Sequence, residues 1–419
     1  MKMNKKKNNK QLAIIGGGAS GMVAAIFAFN EAKKNRLDLD ITLFESNARI
    51  GKKILVTGNG RCNFSNENIS AENYHGDVDI AYSLYRQFDN NDTVAFFKSI
   101  GVMPKADAAG RLYPMSFQAS SVLDALRAEI DKCGINVLCD TKINSLRSLS
   151  EGYLLNDRYY ADCCIIACGA KAAPVHGSDG SGYDLIRPYN ISISPVLPAL
   201  TALVCENFPK GLKGIRAHGR ITVKVSGKII SEDTGEIQYT DYGLSGIPSM
   251  QVSGAVSVAL NDKSSPVFAF VDACPYLNTD ELKKHLIDFI SHNPEIPAEN
   301  LLSGIVPKKL GITFLQDCSI NPTKKVGILH FSVIEKLISV IKCKKYRITS
   351  VRSFNDAQVC CGGINFSEVN PHTLELKKAK RLFVCGEILN IYGDCGGYNL
   401  QWAWSSGYVA GINSVRELK

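Results

Sequence analysis

Apolar runs that end at glycine-rich turns predict the architecture of the N-terminal part of the chain. Leu12–Ile15 is a continuous apolar run that stops at a glycine, as expected of a buried parallel strand. The apolar positions Met22, Ile26 and Phe29 then recur at the spacing of one helix face. A second apolar run, Ile41–Phe44, follows, so the pattern predicts a strand–turn–helix–strand unit.

Two later apolar runs have the same character. Cys163–Ala167 leads towards Gly169, and Leu382–Cys385 leads into Gly386 and Glu387. Both runs predict parallel strands. The carboxyl ends of such strands form the sheet edge at which open α/β sheets bind their ligands.

The segment between these two runs has a different pattern. Short alternating runs such as Ile221–Val225 predict antiparallel β-structure. Leu282–Ile290 and Ser332–Ile341 have helical character. We therefore predict an α/β protein in which residues 192–352 form a separate region that is rich in β-structure and partly helical.

The turn after the first strand carries Gly16-x-Gly18-x-x-Gly21, which is typical of a dinucleotide site. The first glycine permits a tight turn, the second lets the backbone approach a pyrophosphate, and the third lets helix and strand pack closely. The helix N-terminus would offer free N–H groups and a partial positive charge to the phosphates. Glu45 follows at close to the ~20-residue spacing of an acid that binds a ribose 2′-hydroxyl and repels a 2′-phosphate. We expect FAD or NAD rather than NADP.

The residues after Glu45 favour FAD over NAD. Arg49–Lys53 and Thr57–Asn63 form a long segment rich in glycine and basic residues, where a simple NAD dehydrogenase would enter its next helix. Such a loop suits a longer ligand whose pyrophosphate and flavin run across the sheet edge. An ordinary surface loop is the alternative interpretation.

Three stretches of the chain resemble one family of flavoproteins. Gly58–Asn66 is similar to the GNGRCNxTN signature of BaiN/YhiN-type FAD flavoproteins, and Tyr239–Pro248 is similar to their FTHxGxSGP segment. Cys361–Ile364 and Gly386–Ala403 resemble their C-terminal motifs GGV and GExLDxxGxxGGYNLQWA. The resemblance covers nearly the whole chain, with Asn390 standing where an aspartate is usual.

The resemblance implies a Rossmann-like FAD-binding domain made of two chain segments, residues 11–191 and 353–419. A substrate domain, residues 192–352, is inserted between them, and residues 1–10 form a basic flexible tail. The motifs and the resemblance together predict cofactor-binding residues at Gly16, Gly18, Ala19, Ser20, Gly21, Glu45, Ser46, Lys53, Gly60, Arg61, Cys62, Asn63, Ile143, Ala167, Gly169, Gly386, Glu387, Gly396, Gly397, Tyr398, Asn399 and Leu400.

Reduction of a C=C bond at a flavin requires a hydride on one face of the substrate and a proton on the other. Tyr242 and Tyr398 are the predicted proton donors, and half-buried packing with a satisfied hydroxyl is the alternative. The segment Tyr398–Asn413 predicts a helix whose N-terminus would stabilise negative charge on the flavin. Trp402 and Trp404 are interpreted as residues that pack this helix.

The net charge and the cysteine content limit the binding partners and the cell compartment that the sequence predicts. The formal net charge is +8, but many of the basic residues lie in the N-terminal tail or in scattered clusters such as Lys342–Lys345, so we predict no nucleic-acid partner. The 14 cysteines include no CxxC pair, which indicates a cytoplasmic protein without a metal site. The uncharged stretch Leu12–Phe29 is split by glycines, so neither a signal peptide nor a membrane span is expected.

The resemblance implies two activities. One is NADH-dependent reduction of conjugated C=C bonds in 3-oxo bile-acid intermediates, with NADH bound transiently, and the other is oxygen-dependent oxidation of aminoacetone. A reducing cytoplasm favours the reductase, which would take an apolar, steroid-like substrate instead of a small amine. An RNA-modifying flavoprotein is the third interpretation, and it would require a basic stripe with interleaved aromatic residues.

Overall fold

The computed structural model describes residues 9–419, which divide into two compact units. The unit that is predicted to bind FAD comprises the described residues up to Val196 together with Val359–Lys419, and we name it the flavin unit. The inserted unit comprises Leu197–Gln358. The sequence-based boundaries lie a few residues earlier, at 191/192 and 352/353. The predicted basic tail lies outside the described residues except for Asn9 and Lys10, and Lys10 is already part of the first strand.

The first segment of the flavin unit contains both strands and helices. Its strands are β1 (Lys10–Ile15), β2 (Leu39–Phe44), β3 (Ser65–Asn66), β4 (Tyr74–Gly76), β5 (Pro104–Ala106), β6 (Arg111–Pro114), β7 (Asn136–Leu138), β8 (Leu146–Ser148), β9 (Tyr153–Leu155), β10 (Tyr159–Ala161), β11 (Cys163–Ile166) and β12 (Ile193–Ala199), which continues into the inserted unit from Leu197. Its α-helices are α1 (Ala19–Lys34), α2 (Val78–Tyr85), α3 (Asn90–Ser99), α4 (Ala119–Lys132) and α5 (Ser181–Ile186).

The inserted unit follows, and the chain then returns to the flavin unit. The inserted unit contains β13 (Leu203–Cys205), β14 (Arg216–Val225), β15 (Lys228–Tyr239), β16 (Gly243–Ser245), α6 (Ile247–Asp262), β17 (Val267–Asp272), α7 (Thr279–His292), α8 (Lys308–Asp317), α9 (Phe331–Lys342) and β18 (Lys344–Val351). The returning segment contains β19 (Val359–Ile364), β20 (Leu382–Val384), β21 (Ile391–Gly393) and α10 (Tyr398–Arg416). Short 3-10 helices lie at Lys52–Gly60, Ala71–Asn73, Pro174–His176, Arg187–Tyr189, Lys210–Leu212, Ala298–Asn300, Val326–Ile328, Phe366–Glu368 and Gly386–Ile388.

The flavin unit is built on a parallel sheet with strand order β20-β11-β1-β2-β7. The predicted Rossmann-type arrangement is therefore confirmed. Of the two runs predicted as returning strands, β11 pairs with β1 and β20 pairs with β11, so the carboxyl ends of three apolar strands meet at one edge. Leu12, Ile14 and Leu43 are fully buried in this sheet.

The inserted unit contains a closed barrel with strand order β13-β16-β15-β14-β17-β18. Its long hairpin, β14–β15, turns at Ser226 and Gly227, which have φ values of 49° and 80° and so suit a tight two-residue turn. Buried side chains of the barrel and of α7–α9 form one apolar core, which includes Val223, Val271 and Leu337. The predicted β-rich and partly helical character of the insertion is confirmed.

Candidate active site

The turn between β1 and α1 is built by glycines with separate geometric roles. Gly16 has φ of +111°, and a Cβ there would lie 2.5 Å from the carbonyl oxygen of Ala167 at the end of β11. A Cβ at Gly21 would lie 1.9 Å from the Gly16 carbonyl oxygen, so only glycine lets α1 pack against the strand. A Cβ at Gly18 would meet no atom of the described part of the chain within 4 Å. Packing among the described residues therefore does not require glycine at position 18, and the open space suits a ligand approaching the backbone.

The N-terminus of α1 fits a phosphate group. Gly18 is the N-cap, no side chain within residues 9–419 caps the helix, and its first turn contains no acidic residue. The free N–H groups of Ala19 and Ser20 therefore have no protein anion beside them in this turn. Ser20 is buried beside Gly386, where a Cβ would lie 2.6 Å from the Ser20 hydroxyl oxygen.

Glu45 lies at the end of β2 and faces the glycine turn. The backbone N–H of Gly17 donates to its Oε2 at 3.0 Å. The Asn47 backbone and side-chain nitrogens donate to its Oε1 at 2.8 and 2.6 Å, and the Ser46 hydroxyl donates to the same oxygen at 3.3 Å. The carboxylate is thereby held in one orientation next to the turn.

The GNGRCN loop lies along a kinked 3-10 segment with unusual backbone angles. Gly58, Asn59, Gly60 and Cys62 all have positive φ, which explains the density of glycine and asparagine in this motif. The Cys62 side chain points into the protein, and burial raises the pKa of its thiol to about 12. The exposed Arg61 instead places its guanidinium 5.6 Å from the ring centre of Tyr113.

Hydrogen bonds connect the residues of this motif to the start of the last helix, α10. The Trp404 indole nitrogen donates to the Phe64 carbonyl oxygen at 2.8 Å, and the Ser65 hydroxyl donates to Gln401 at 2.6 Å. The Asn66 side chain donates to the Gly396 carbonyl oxygen at 2.9 Å. Two motifs that are more than 300 residues apart in the sequence therefore form one structural unit.

The start of α10 is a glycine turn that touches this loop. Gly396 and Gly397 have φ of +148° and +98°, and a Cβ at Gly397 would lie 2.2 Å from the Ser65 carbonyl oxygen. The same Cβ would lie 2.7 Å from Asn63 Oδ1. That oxygen is buried and accepts no hydrogen bond within residues 9–419. A buried acceptor without a donor fits a site that binds a ligand N–H or O–H group.

The predicted residues Lys53 and Glu387 contact each other. Lys53 Nζ lies 2.9 Å from Glu387 Oε2, and the backbone N–H of Cys360 donates to Oε1 at 2.8 Å. Both side chains are half-buried. Glu387 therefore has protein partners on both carboxylate oxygens, and it connects the 3-10 segment Lys52–Gly60 to the strand β19.

Asn399 has a local role that the sequence does not reveal. The Gly393 backbone N–H donates to its Oδ1 at 2.7 Å, and its Nδ2 donates to the carbonyl oxygens of Gly393 and Asp394 at 2.8 and 3.2 Å. Its whole amide is thus used to close the turn before α10. Leu400, the next residue, is half-buried on this helix.

The remaining predicted cofactor residues lie in the flavin unit with less direct evidence of a ligand role. Ala167 is buried at the end of β11, and Ile143 is buried after β7. Gly169 has φ of +70°, and a Cβ there would lie 2.7 Å from the Ser178 hydroxyl oxygen. Ser46 is exposed at the end of β2.

The two predicted proton donors belong to different units. Tyr398 is the first residue of α10 and is 9% exposed. Burial and the nearby Asp394 carboxylate raise the pKa of its hydroxyl, so it keeps its proton at neutral pH. Tyr242 lies in the turn between β15 and β16 of the inserted unit, with the Arg352 guanidinium 5.0 Å from its ring centre.

The sequence analysis missed one polar pair beside the α10 turn. His75 Nε2 lies 2.8 Å from Asp394 Oδ1, because β4 pairs with β21. The two residues are 319 positions apart, and no local pattern connects them. Within residues 9–419 no group of three or more His, Cys, Asp or Glu side chains is arranged to bind a metal ion.

Comparison with known proteins gives matches along the chain. The model of the HI0933-like protein Rossmann domain matches residues 10–413. A 3-dehydro-bile acid Δ(4,6)-reductase of Clostridium scindens is 38% identical, over 96% of this chain and 98% of the relative. A ribosomal RNA dihydrouridine synthase of Haemophilus influenzae is 24% identical, over 96% and 98%.

Among solved structures, an Escherichia coli quinol fumarate reductase aligns with 98% of this chain and 70% of its own, at 15% identity and a TM-score of 0.48. No helix within residues 9–419 combines the length and the apolar character needed to cross a bilayer.

Proposed function

The chain belongs to the HI0933-like family and is an FAD-dependent oxidoreductase, and from this premise we propose that it reduces C=C bonds conjugated to a carbonyl group in 3-oxo steroid acids. The observation that carries this proposal is the 38% identity to a 3-dehydro-bile acid Δ(4,6)-reductase along almost the full length of both chains. The family resemblance noted in the sequence is confirmed by the same match.

A second relative supports the class of reaction. Dihydrouridine is uridine whose C5=C6 bond has been reduced, and that bond is conjugated to the C4 carbonyl of the uracil ring. The names of both relatives therefore describe the addition of two hydrogens to a C=C bond next to a carbonyl. This agreement favours ene-reduction over oxidation of an amine.

We propose that FAD is held by the residues at the sheet edge. The free N–H groups at the start of α1 would bind the pyrophosphate, and the Glu45 carboxylate would accept a hydrogen bond from a ribose hydroxyl. Asn63 Oδ1, which is buried and has no donor among the described residues, would accept a hydrogen bond from the ligand. When bound, FAD supplies hydride transfer.

The N-terminus of α10 would contribute electrostatically. Gly397 is its N-cap, its first turn contains no acidic residue, and no side chain in the part of the chain that the structure describes caps it. The partial positive charge of a 19-residue helix would stabilise negative charge at that end. Tyr398, which stays protonated at neutral pH, is positioned on the first turn as one proposed proton donor to the substrate carbon. Tyr242 is the other.

NADH is the proposed electron donor. In the net reaction NADH and one proton convert C=C into CH–CH and yield NAD⁺, so hydrogens and electrons balance. The sequence contains no second GxGxxG turn, which favours transient binding of NADH over a dedicated nicotinamide domain.

An anaerobic titration tests the proposal. The FAD-loaded protein is mixed with NADH while flavin absorbance is followed, and a 3-oxo-Δ4 steroid acid is then added. We expect NADH to bleach the flavin and the enone to restore its colour, with one reduced C=C bond formed for each NADH consumed. Mass spectrometry of the steroid identifies the reduced product.

Other outcomes identify other functions. Bleaching by aminoacetone, with no response to NADH, would make the protein an amine oxidase and would contradict the proposal. Bleaching by NADH without reoxidation by the steroid would keep the ene-reductase class open and would reject this substrate. A non-conjugated steroid alkene is the control, and it should not reoxidise the flavin.

A further inference from the structure

A histidine–aspartate pair lies beside the glycine turn that starts α10. His75 Nε2 lies 2.8 Å from Asp394 Oδ1. The His75 side chain is 41% exposed, whereas that of Asp394 is 20% exposed. The imidazole can therefore exchange protons with solvent, while the carboxylate that it contacts belongs to the turn itself.

Neighbouring residues hold both members of the pair. His75 lies opposite Tyr392 where β4 pairs with β21, and the two rings pack with their centres 4.8 Å apart. The Asp394 backbone N–H donates to the Asn73 carbonyl oxygen at 2.9 Å, and the Asp394 carbonyl oxygen accepts from Asn399 at 3.2 Å. The contact between imidazole and carboxylate is therefore fixed by the surrounding backbone.

The pair adjoins Tyr398, the proposed proton donor on the first turn of α10. The Tyr74 hydroxyl donates to the Tyr398 carbonyl oxygen at 3.1 Å, and the two rings meet edge to face with centres 6.3 Å apart. Burial, and after it the Asp394 carboxylate, raise the pKa of Tyr398, because both oppose formation of the phenolate. β4 thus contacts the donor residue through Tyr74 and the adjacent carboxylate through His75.

Proton transfer from Tyr398 would create a second negative charge near Asp394. One carbon of the enone takes a hydride from reduced FAD, and the other takes the proton of the Tyr398 hydroxyl. The remaining phenolate regains its proton from solvent. No lysine or arginine forms an ion pair with Asp394 within residues 9–419, so protonation of His75 is the available means of neutralising this carboxylate.

We propose that the His75–Asp394 pair controls release of the Tyr398 proton, with protonated His75 neutralising the carboxylate and so stabilising the transient phenolate. A carboxylate repels a nearby phenolate, whereas an imidazolium–carboxylate pair has no net charge. His75 and Asp394 are positioning residues, because they act through Tyr398 and do not donate to the substrate. This inference rests on the proposed function, since it concerns the step that reduces the enone.

The groups around the pair leave His75 as the group expected to set the pH dependence. They are Tyr74 of β4, Asp77 after β4, Arg111 of β6, Cys361 of β19, Tyr392 of β21 and Tyr398 of α10. Burial raises the pKa of all three tyrosines, so they keep their protons at neutral pH. The Cys361 thiol is buried. Among side chains, a histidine is the one that ordinarily changes its charge between ~pH 5 and 8.

Single-turnover reoxidation at several pH values tests the inference. FAD-loaded protein that has been reduced by NADH is mixed anaerobically with the 3-oxo-Δ4 steroid acid, and flavin absorbance is followed by stopped flow. In the parent protein the rate should fall about tenfold as pH rises through ~5 to 8, because neutral His75 leaves the Asp394 charge uncompensated. His75→Gln should react at the slow alkaline rate throughout. Asp394→Asn has no charge to neutralise and should react at alkaline pH about tenfold faster than the parent.

The opposite directions of these two effects separate control of charge from a structural role, which would slow both variants. His372→Gln and Asp79→Asn make the same changes at exposed positions of the flavin unit and should keep the parent profile. Flavin reduction by NADH should be the same in every variant, since no proton passes from Tyr398 to carbon in that half-reaction. An unchanged flavin spectrum verifies that each variant is folded.

A chemical label examines the pair without turnover. Diethyl pyrocarbonate reacts with neutral imidazole, and peptide mass mapping of the oxidised, FAD-loaded protein measures the modification of each histidine. At about pH 6, Asp394→Asn should increase the labelling of His75 about twofold, because a carboxylate partner favours the protonated ring. Labelling of His372 should be the same in both proteins.

Three results would overturn the inference: a parent rate that does not fall across this pH range, slow reoxidation in both variants, or equal labelling of His75 in Asp394→Asn and the parent. Failure of the steroid to reoxidise the parent flavin at any pH is a different result, because it rejects the proposed function and, with it, this role of the pair. Reoxidation of the parent together with parent-like profiles in both variants rejects the role of the pair alone.

Discussion

At the residue scale, Gly18 and Gly21 should be required for different reasons, Gly18 for ligand binding and Gly21 for packing of the fold. Because a Cβ at Gly18 meets no atom within 4 Å, Gly18→Ala should change the apoprotein's free energy of unfolding by less than about 0.5 kcal/mol while weakening FAD binding at least tenfold. Gly21→Ala should destabilise the apoprotein by about 1–3 kcal/mol, because its Cβ would lie 1.9 Å from the Gly16 oxygen. Urea unfolding and flavin fluorescence titration measure the two effects. Equal FAD affinity in Gly18→Ala would argue against a pyrophosphate at this turn.

The proposed role of Tyr398 as proton donor predicts that removal of its hydroxyl slows only one of the two half-reactions. Tyr398→Phe should leave flavin reduction by NADH unchanged and slow reoxidation by the enone ~100-fold, because only the second step takes a proton to carbon. Stopped-flow absorbance measures each step separately. Tyr160→Phe, on β10 at the surface, is the control and should alter neither rate. A Tyr398→Phe variant that is slow in both steps would indicate a structural role instead.

The raised pKa of Cys62 predicts its chemical behaviour. With a pKa of about 12, the thiol is protonated at pH 8, and only about one molecule in ten thousand carries the thiolate. Iodoacetamide at pH 8 should therefore label the exposed Cys343 and spare Cys62 in the folded protein. Peptide mass mapping reads the pattern, and urea-denatured protein, in which both should react, is the control. Rapid labelling of Cys62 in the folded state would contradict the buried assignment.

At the element scale, small residues govern the crossing of α1 and α10. A Cβ at Gly407 would lie 2.5 Å from the Ser20 carbonyl oxygen, and one at Gly411 would lie 2.4 Å from that of Ala24. Gly407→Ala should therefore lower the free energy of unfolding by about 1–3 kcal/mol and weaken FAD binding through displacement of α1. Gly304→Ala, with no atom within 4 Å of its Cβ, should be neutral. Thermal unfolding with and without FAD makes the comparison, and equal stability of the two variants would refute the packing argument.

Elements with a local signal were predictable from the sequence, and partners distant in the chain were not. The first strand, the glycine turn, α1 and the returning strands follow from apolar periodicity and glycine spacing, and the structure confirms them. The α10 helix was also predicted, and it extends beyond Asn413 to Arg416. The barrel closure between β13 and β18, the Gln401 contacts and the use of Asn399 within its own turn depend on chain segments brought together by folding. No short window of sequence contains that information.

At the scale of the whole molecule, the two units should respond differently to FAD. The inserted unit has its own apolar core, which includes Leu337, and the proposed cofactor residues all belong to the flavin unit. Because a ligand stabilises only the structure that binds it, excess FAD should raise the midpoint temperature of one calorimetric transition and leave that of a second transition unchanged. At a hundredfold excess over Kd, the stabilisation should amount to ~2.7 kcal/mol.

Two buried-site variants assign those transitions. Leu337→Ala should lower the free energy of unfolding by about 2–5 kcal/mol in the FAD-insensitive transition only, because it opens a cavity in the core of the inserted unit. Gly407→Ala should lower the midpoint temperature of the FAD-sensitive transition only, since its clash lies between α1 and α10. A single transition that both variants and FAD shift together would mean that the units unfold cooperatively, and the core of the inserted unit would then contribute directly to retention of the cofactor. Independent transitions would instead mean that substitutions on the barrel surface leave the stability of the flavin site unchanged.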